Sequence, residues 1–175
     1  MLTHWNKLLN TDCLVLGVGD KNVYPIFRNG YTTFMNVYDT QYINEDISKC
    51  GHIDVLIRDP EERFESGVNE YCFQNKVEFD EAFKLIQQGK LYDRHFTPQY
   101  IWLFHLSKFY KGEVTLRPFN YIKEITDVHR NSVHYEKKDV PAIAEFVDVD
   151  KHLMQHLNES TALIDIVKRY KNVLS

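Results

Sequence analysis

The chain has few of the residues that mark a cross-linked, metal-stapled or nucleic-acid-binding protein. Its three cysteines, Cys13, Cys50 and Cys72, are odd in number, widely spaced and free of any Cys-x-x-Cys pair. That excludes a disulfide framework and a zinc knuckle, and it suits a reducing compartment. Basic residues are also short: 21 Lys and Arg face 25 Asp and Glu, for a formal net charge of -4. A general nucleic-acid binder carries a basic excess, so no nucleic-acid partner is expected and any anion site has to be local. The longest early apolar run, Cys13 to Val18, is too short to span a bilayer and lacks the basic flank and small-residue cleavage site of a signal peptide. The expectation is a soluble, cytoplasmic chain with no membrane partner. Low-complexity tracts, linkers and internal repeats are missing too, and the seven glycines stand singly.

What is present is a chain of 175 residues with 43% hydrophobic content, enough for one domain, residues 1–175, with a proper core. Val23 to Phe27 and Ile53 to Ile57 are apolar runs of strand length, each followed by a segment of helical character. Val114 to Leu116 read as a third strand. Such a βαβ-like alternation predicts a parallel sheet. After the second run, Asp59 is placed to cap a helix and Pro60 to take its first position, with Phe64, Val68, Tyr71 and Cys72 recurring at helical spacing. Asp80 is expected to cap a short helix that carries Phe83 and Ile86 and stops at Gly89. Thr97-Pro98 opens another through Ile101, Leu103 and Phe104. From Asp150 to Val173 the pattern predicts one or two amphipathic packing helices, interrupted near Asn158.

Two strand-to-helix junctions have anion-binding chemistry. In Arg28-Asn29-Gly30-Tyr31-Thr32-Thr33, the glycine allows close backbone approach, the amides of a helix start point outward, and Arg28 adds charge beside two hydroxyls. The same composition also describes an ordinary turn. It is not a Walker A loop, because the Lys-Ser/Thr pair after a second glycine is missing, and Gly17 to Asn22 ("GVGDKN") does not supply it. In the second junction, residues 55–71, Arg58 ends a strand and Ser66 lies on the following helix. Together they can hold one phosphate, by a charge-assisted and a neutral hydrogen bond respectively. Arg63, Glu61, Glu62 and Glu65 read as a solvated, salt-bridged helix face.

The run Arg58, Asp59, Pro60, Arg63 and Ser66, spaced Arg-Asp-Pro-x-x-Arg-x-x-Ser, resembles the 3'-phosphate-binding segment of sulfotransferases that use 3'-phosphoadenosine 5'-phosphosulfate (PAPS). The loop from Arg28 to Thr33 resembles the 5'-phosphosulfate loop of that family, with arginine where lysine is usual. Residues 93–99, "DRHFTPQ", are similar to a segment of carbohydrate sulfotransferases, and residues 130–139, "RNSVHYEKKD", more loosely to their late Asn-x-Ser region. The order of the motifs matches as well. The resemblance implies an α/β, P-loop-like three-layer fold with a small central parallel sheet flanked by helices.

It also implies in-line transfer of a sulfuryl group from PAPS to a hydroxyl or amine acceptor, a carbohydrate or small molecule, with adenosine 3',5'-bisphosphate as product and no metal. Arg28 would stabilise charge in the transition state. Asn29 to Thr33 would hold the phosphosulfate, and Arg58 with Ser66 the 3'-phosphate. Alignment and electrostatic stabilisation dominate such a transfer. A base near neutral pH is still useful; His95 is the first choice, with a structural role as its alternative, and His52, Glu45 and Asp46 as rivals. His152 and His156, four apart, lack the third ligand and the Glu of a zinc helix and read as a solvated face. Two other classes share the physics: a P-loop nucleotide or nucleoside kinase, and an inactive module that binds a nucleotide or glycan.

Overall fold

In the computed structural model, which describes residues 4, 5, 7, 9–128 and 135–171, the apolar run near the start of the chain is the first strand of the sheet. Leu14–Val18 (β1) and Lys21–Val23 (β2) form an antiparallel hairpin, turned at Gly19 with φ of 59°. The "GVGDKN" stretch is therefore a β-turn and its flanks. Thr40–Ile43 (β3) pairs antiparallel with β1, while Ile53–Ile57 (β4) lies parallel to β2, and Glu113–Pro118 (β5) parallel to β4. Ser160–Ala162 (β6) closes the other edge antiparallel to β5, giving the order β3-β1-β2-β4-β5-β6.

The expected small parallel sheet is thus corrected to a six-stranded mixed sheet, parallel only across β2, β4 and β5. The run Val23 to Phe27 is corrected as well, since only Val23 belongs to β2. Tyr24 still donates its N–H to the Asp54 carbonyl at 3.1 Å. Pro25 has no N–H to continue the ladder, and the left-handed φ values of Arg28 (69°) and Gly30 (86°) then turn the chain away.

The helices are Tyr31–Val37 (α1), Pro60–Asn75 (α2), Phe79–Gln87 (α3), Gln99–Leu106 (α4), Ile122–Ile125 (α5), Ala144–Leu153 (α6) and Leu163–Tyr170 (α7). The Asp59 carboxylate accepts from the N–H groups of Glu61 and Glu62 at 3.0 and 2.9 Å, and Pro60 opens α2, as its sequence predicts. Extended backbone at Glu78 starts α3 earlier than expected, so Asp80 lies in its first turn instead of capping it. The break near Asn158, where φ is 65°, is real, and the chain continues from it as β6 and then α7 instead of a second stretch of the same helix.

Alternation along β4 divides the interior in two. Ile53, Val55 and Ile57 join a large core with Phe64 and Val68 of α2, whereas Leu56 joins Leu16, Val18 and Val23 against Phe34 of α1 and Ile122 of α5. The chain leaving β2 therefore goes to one face and the chain leaving its parallel neighbour β4 to the other. In open α/β sheets, ligands bind beside the carboxyl ends of two strands whose connections diverge in this way. Among the described residues, no helix is long and apolar enough to cross a membrane.

Candidate functional site

Arg58 directly follows β4, and Arg28 follows β2 after the segment Tyr24 to Phe27. Arg58 donates through Nη1 to the Arg28 carbonyl at 3.4 Å, and its guanidinium lies 5.3 Å from the centre of the Phe119 ring. Its Nε is buried without a hydrogen-bond partner, with the Glu62 carboxylate 3.7 Å away. Burial lowers the pKa of Arg58; Glu62 opposes that shift and Arg28 adds to it.

One face of α2 carries Arg63, Ser66, Gly67 and Glu70, spaced as one helical stripe. Ser66 is brought to Arg28: its Oγ accepts from Arg28 Nε at 3.0 Å and Nη2 at 2.7 Å. Arg28 Nη1 donates to Glu70 Oε2 at 3.0 Å, and the Tyr135 hydroxyl donates to the same oxygen at 3.0 Å. Burial, offset in part by Arg28 and reinforced by Glu70, pushes the Tyr135 phenol up to about 12.

Arg63, expected on a solvated face, is only 2% exposed. It donates through Nε to the Phe27 carbonyl at 3.1 Å and through Nη1 to the Thr97 carbonyl at 2.6 Å, tying the first loop to the "DRHFTPQ" turn. Its Nη2 has no partner. Burial pulls its pKa down to about 10; the Asp150 carboxylate opposes this, and Arg58 and Arg28 reinforce it. Arg28 thus sits close enough to disfavour the charge of Arg58, and both to disfavour that of Arg63, in a chain whose net charge is negative.

Gln99 fastens the two strand ends together. Its side chain accepts from the Arg58 N–H at 3.0 Å, donates to the Arg58 carbonyl at 3.0 Å, and accepts from Asn29 Nδ2 at 2.5 Å. Asn29 Nδ2 also reaches the Leu56 carbonyl at 2.8 Å. Buried Asp150 accepts from the backbone N–H groups of Gln99 and Tyr100 at 2.6 and 2.8 Å. Burial outweighs these bonds and the Arg63 charge, and pushes its carboxyl up to about 6.

The first loop is therefore more structural than its sequence suggests. Asn29 is buried, its N–H donates to the Ile26 carbonyl at 3.0 Å, and Thr33 is on the buried side of α1. At Gly30 a Cβ would lie 2.6 Å from Ile122 Cδ1, so the missing side chain serves packing as well as the turn. Tyr31 rests on the Phe27 ring, 4.3 Å between centroids, and Thr32 is exposed. Of the side chains of this loop, Arg28 meets Ser66 and Glu70.

His95 lies beside the loop, its ring 5.4 Å from that of Phe27, whose face also carries the Arg94 guanidinium. The ring is mostly buried, with 13% of the side chain exposed, so it is less open than a surface turn implies. Its Nδ1 is 2.5 Å from Asp93 Oδ1, which also accepts the His95 backbone N–H at 2.9 Å. Burial acts against the Asp93 charge, but these bonds from His95 outweigh it and hold the carboxyl below its ordinary value. An Asp-oriented imidazole leaves Nε2 as the nitrogen able to accept a proton.

The rivals are separated from this cluster. His52 immediately precedes β4, at the opposite end of that strand from Arg58, and its Nε2 is 2.8 Å from Thr115 Oγ1. It borders a cleft of about 420 Å³ that includes Cys50, Tyr110 and Glu113, away from the arginines. Glu45 and Asp46 follow edge strand β3, where Asp46 pairs with Lys49 at 2.5 Å. His152 stacks on Tyr170, and His156 meets Glu159 and Arg169. Of residues 130–139, the portion 130–134 lies outside the described residues.

Sequence reasoning assigned no role to Gln99, Asp150 or Glu70, and placed Arg63 outside. Glu70 had a signal, since it lies four residues after Ser66 on the same helical face. Gln99 ends a motif already noted, whereas nothing near Asp150 in the sequence marks it. No protein-family model, curated protein or solved structure matches the chain.

Proposed function

We propose that the protein is a PAPS-dependent sulfotransferase that passes a sulfuryl group to a hydroxyl or amine acceptor, with a carbohydrate or small molecule as the acceptor class. The observation that carries this reading is the gathering of Arg28, Arg58 and Ser66 at the carboxyl ends of two adjacent parallel strands. Buried Arg58 Nε, lacking a hydrogen-bond partner, fits an incoming phosphate oxygen. The order of the motifs supports the finer fold assignment, a P-loop-like architecture, and the three free cysteines support a reducing, cytoplasmic setting.

PAPS would supply the activated sulfuryl group and the bisphosphate leaving group. Arg58 would hold phosphate oxygens through Nε and Nη1, helped by the Ser66 hydroxyl. Arg28, anchored by its unusual backbone, would neutralise charge on the transferring group, and the Thr32 hydroxyl would add a donor. Asp93 would keep His95 Nδ1 protonated, so that Nε2 takes the acceptor's proton. Arg63 and Gln99 would hold the two loops in register without touching the ligand. The test is a labelled-sulfate transfer screen from PAPS across glycans, lipids, phenols and small alcohols. Transfer to an acceptor is the expected result. Binding of adenosine 3',5'-bisphosphate without transfer to any acceptor identifies a binding module, and phosphoryl transfer from ATP a kinase.

A further inference from the structure

We propose that Glu70 is a displaceable internal counter-ion that occupies Arg28 until an anionic ligand takes its place, so that it weakens ligand binding and speeds release of the spent anion. The geometry is that of a stand-in ligand. Arg28 directs Nη1 to Glu70 Oε2 at 3.0 Å and its other two nitrogens, Nε and Nη2, to Ser66 Oγ. The Nε/Nη2 edge is therefore already met by a hydroxyl and Nη1 by a carboxylate, the positions an oxyanion would take. Ser66 Oγ accepts twice from Arg28, and among the described residues no acceptor takes its own proton. That proton is the donor left for an arriving oxygen.

Glu70 is held by a neutral group, and this makes its exchange possible. Its Oε2 accepts the Tyr135 hydroxyl at 3.0 Å, and the Tyr135 ring stacks on Phe73, 4.9 Å between centroids. The other oxygen, Oε1, accepts from Gln74 Nε2 at 2.6 Å on the exposed side of α2. A rotation of one carboxylate releases Arg28 without disturbing Gln99 or Arg63. Without Glu70, Arg28 would face Arg58 and Arg63 with no ion-pair partner of its own among the described residues.

A sulfate or phosphate group carries more charge than the Glu70 carboxylate, but Glu70 is tethered and so has a high effective concentration. A single free oxyanion gains little by replacing it. A ligand that first places one anionic group on Arg58 delivers its second group to Arg28 with the same tethering advantage. The chemical class is therefore a molecule with two anionic groups. The choice of adenosine 3',5'-bisphosphate as probe rests on the proposed function; the counter-ion role of Glu70 does not.

The experiment is calorimetric titration of the full chain, Glu70→Gln and Tyr135→Phe with adenosine 3',5'-bisphosphate and, separately, with inorganic sulfate. Gln keeps an acceptor for Arg28 and Tyr135, and Phe keeps the ring on Phe73, so both variants should unfold near the parent's temperature. Glu70→Gln should tighten the bisphosphate about tenfold, and Tyr135→Phe, which alters no charge, by a few fold. Tightening in Glu70→Gln alone would mean that Glu70 acts only through its field, and displacement is overturned. Equal affinity in all three proteins overturns the counter-ion and leaves the proposed function standing. If none takes the bisphosphate while both variants bind sulfate more tightly, the proposed function falls and the counter-ion stands. Binding of neither anion by any of the three removes both. Should Glu70→Gln fail to fold, Tyr135→Phe decides alone.

Discussion

Gly67 and His95 approach each other so closely that a Cβ on residue 67 would lie 2.2 Å from the His95 carbonyl oxygen and 2.7 Å from its carbonyl carbon. In an exposed helix interior, alanine is favoured over glycine by roughly 0.5–1 kcal/mol. Here the sign reverses, because the obstacle is backbone and cannot swing aside. Gly67→Ala is expected to destabilise the chain by about 1–3 kcal/mol, the range of overpacking. Urea unfolding gives the measure: a raised midpoint would show that the turn around His95 is free to move away from α2.

Arg63 makes a comparable prediction through its charge. It joins the carbonyls of Phe27 and Thr97 while fully enclosed, and its positive charge lies near buried Asp150. Arg63→Ala should cost about 1.5–3 kcal/mol for each of the two charge-assisted hydrogen bonds it removes. Arg63→Lys keeps the charge but cannot span both carbonyls, so it should recover only part. A loss in Arg63→Ala of less than about 0.5 kcal/mol by denaturant titration, the range of ordinary surface substitutions, would contradict the clamp.

Asp150 predicts a pH dependence of stability. Its carboxyl has an ordinary value of 3.8 and is pushed to about 6 by burial in the fold. Between those values the folded chain binds a proton that the unfolded chain has released, so stability falls as pH rises through this window. Above it the full cost of the buried charge remains. Asp150→Asn removes the titrating group and should flatten that fall in urea midpoints measured between pH 4 and pH 6, roughly the span set by linkage. Identical slopes in the two proteins would assign the dependence to other carboxyls.

Arg58 and Arg28 should separate in function. Arg58→Ala is expected to weaken adenosine 3',5'-bisphosphate by about 1.5–3 kcal/mol, the size of lost charge-assisted bonds, and to erase most of its advantage over AMP. Arg28→Ala should lower turnover by roughly a hundredfold or more while changing bisphosphate affinity less. Titration calorimetry beside the transfer assay reads both. Normal turnover in Arg28→Ala would return residues 28–33 to an ordinary turn.

His95 is expected to act through Nε2, with Asp93 positioning it. His95→Asn should reduce turnover by about two to four orders of magnitude and remove the acidic limb of the pH profile. Asp93→Asn should leave the fold intact and lower turnover less, because the ring remains but loses its fixed tautomer. The pH-rate profile is the discriminating readout. An active His95→Asn protein with an unaltered profile would exclude this base, while a variant that unfolds would favour a structural histidine.

The sequence by itself determined the features that depend on neighbours in the chain. Asp59 and Pro60 start α2 because a carboxylate can reach the next N–H groups and a proline needs no donor at a first helical position. The run Ile53 to Ile57 is a strand, Thr97-Pro98 opens α4, and Asn158 marks a break. Only the tertiary structure decided the rest. Strand direction is set by which N–H and C=O groups meet across the sheet, and the hairpin from Leu14 to Val23 reverses β1 in a way that apolar content alone does not encode. Arg63 illustrates the same limit. A guanidinium among glutamates reads as solvated, yet the Phe27 and Thr97 carbonyls that make its burial tolerable lie 36 and 34 residues away and meet it only when both loops close over α2. Glu70 and Ser66 share a helical stripe that spacing can show, but their meeting with Arg28 depends on where β2 ends, and Pro25 and the left-handed turn at Arg28 set that point against the rest of the sheet.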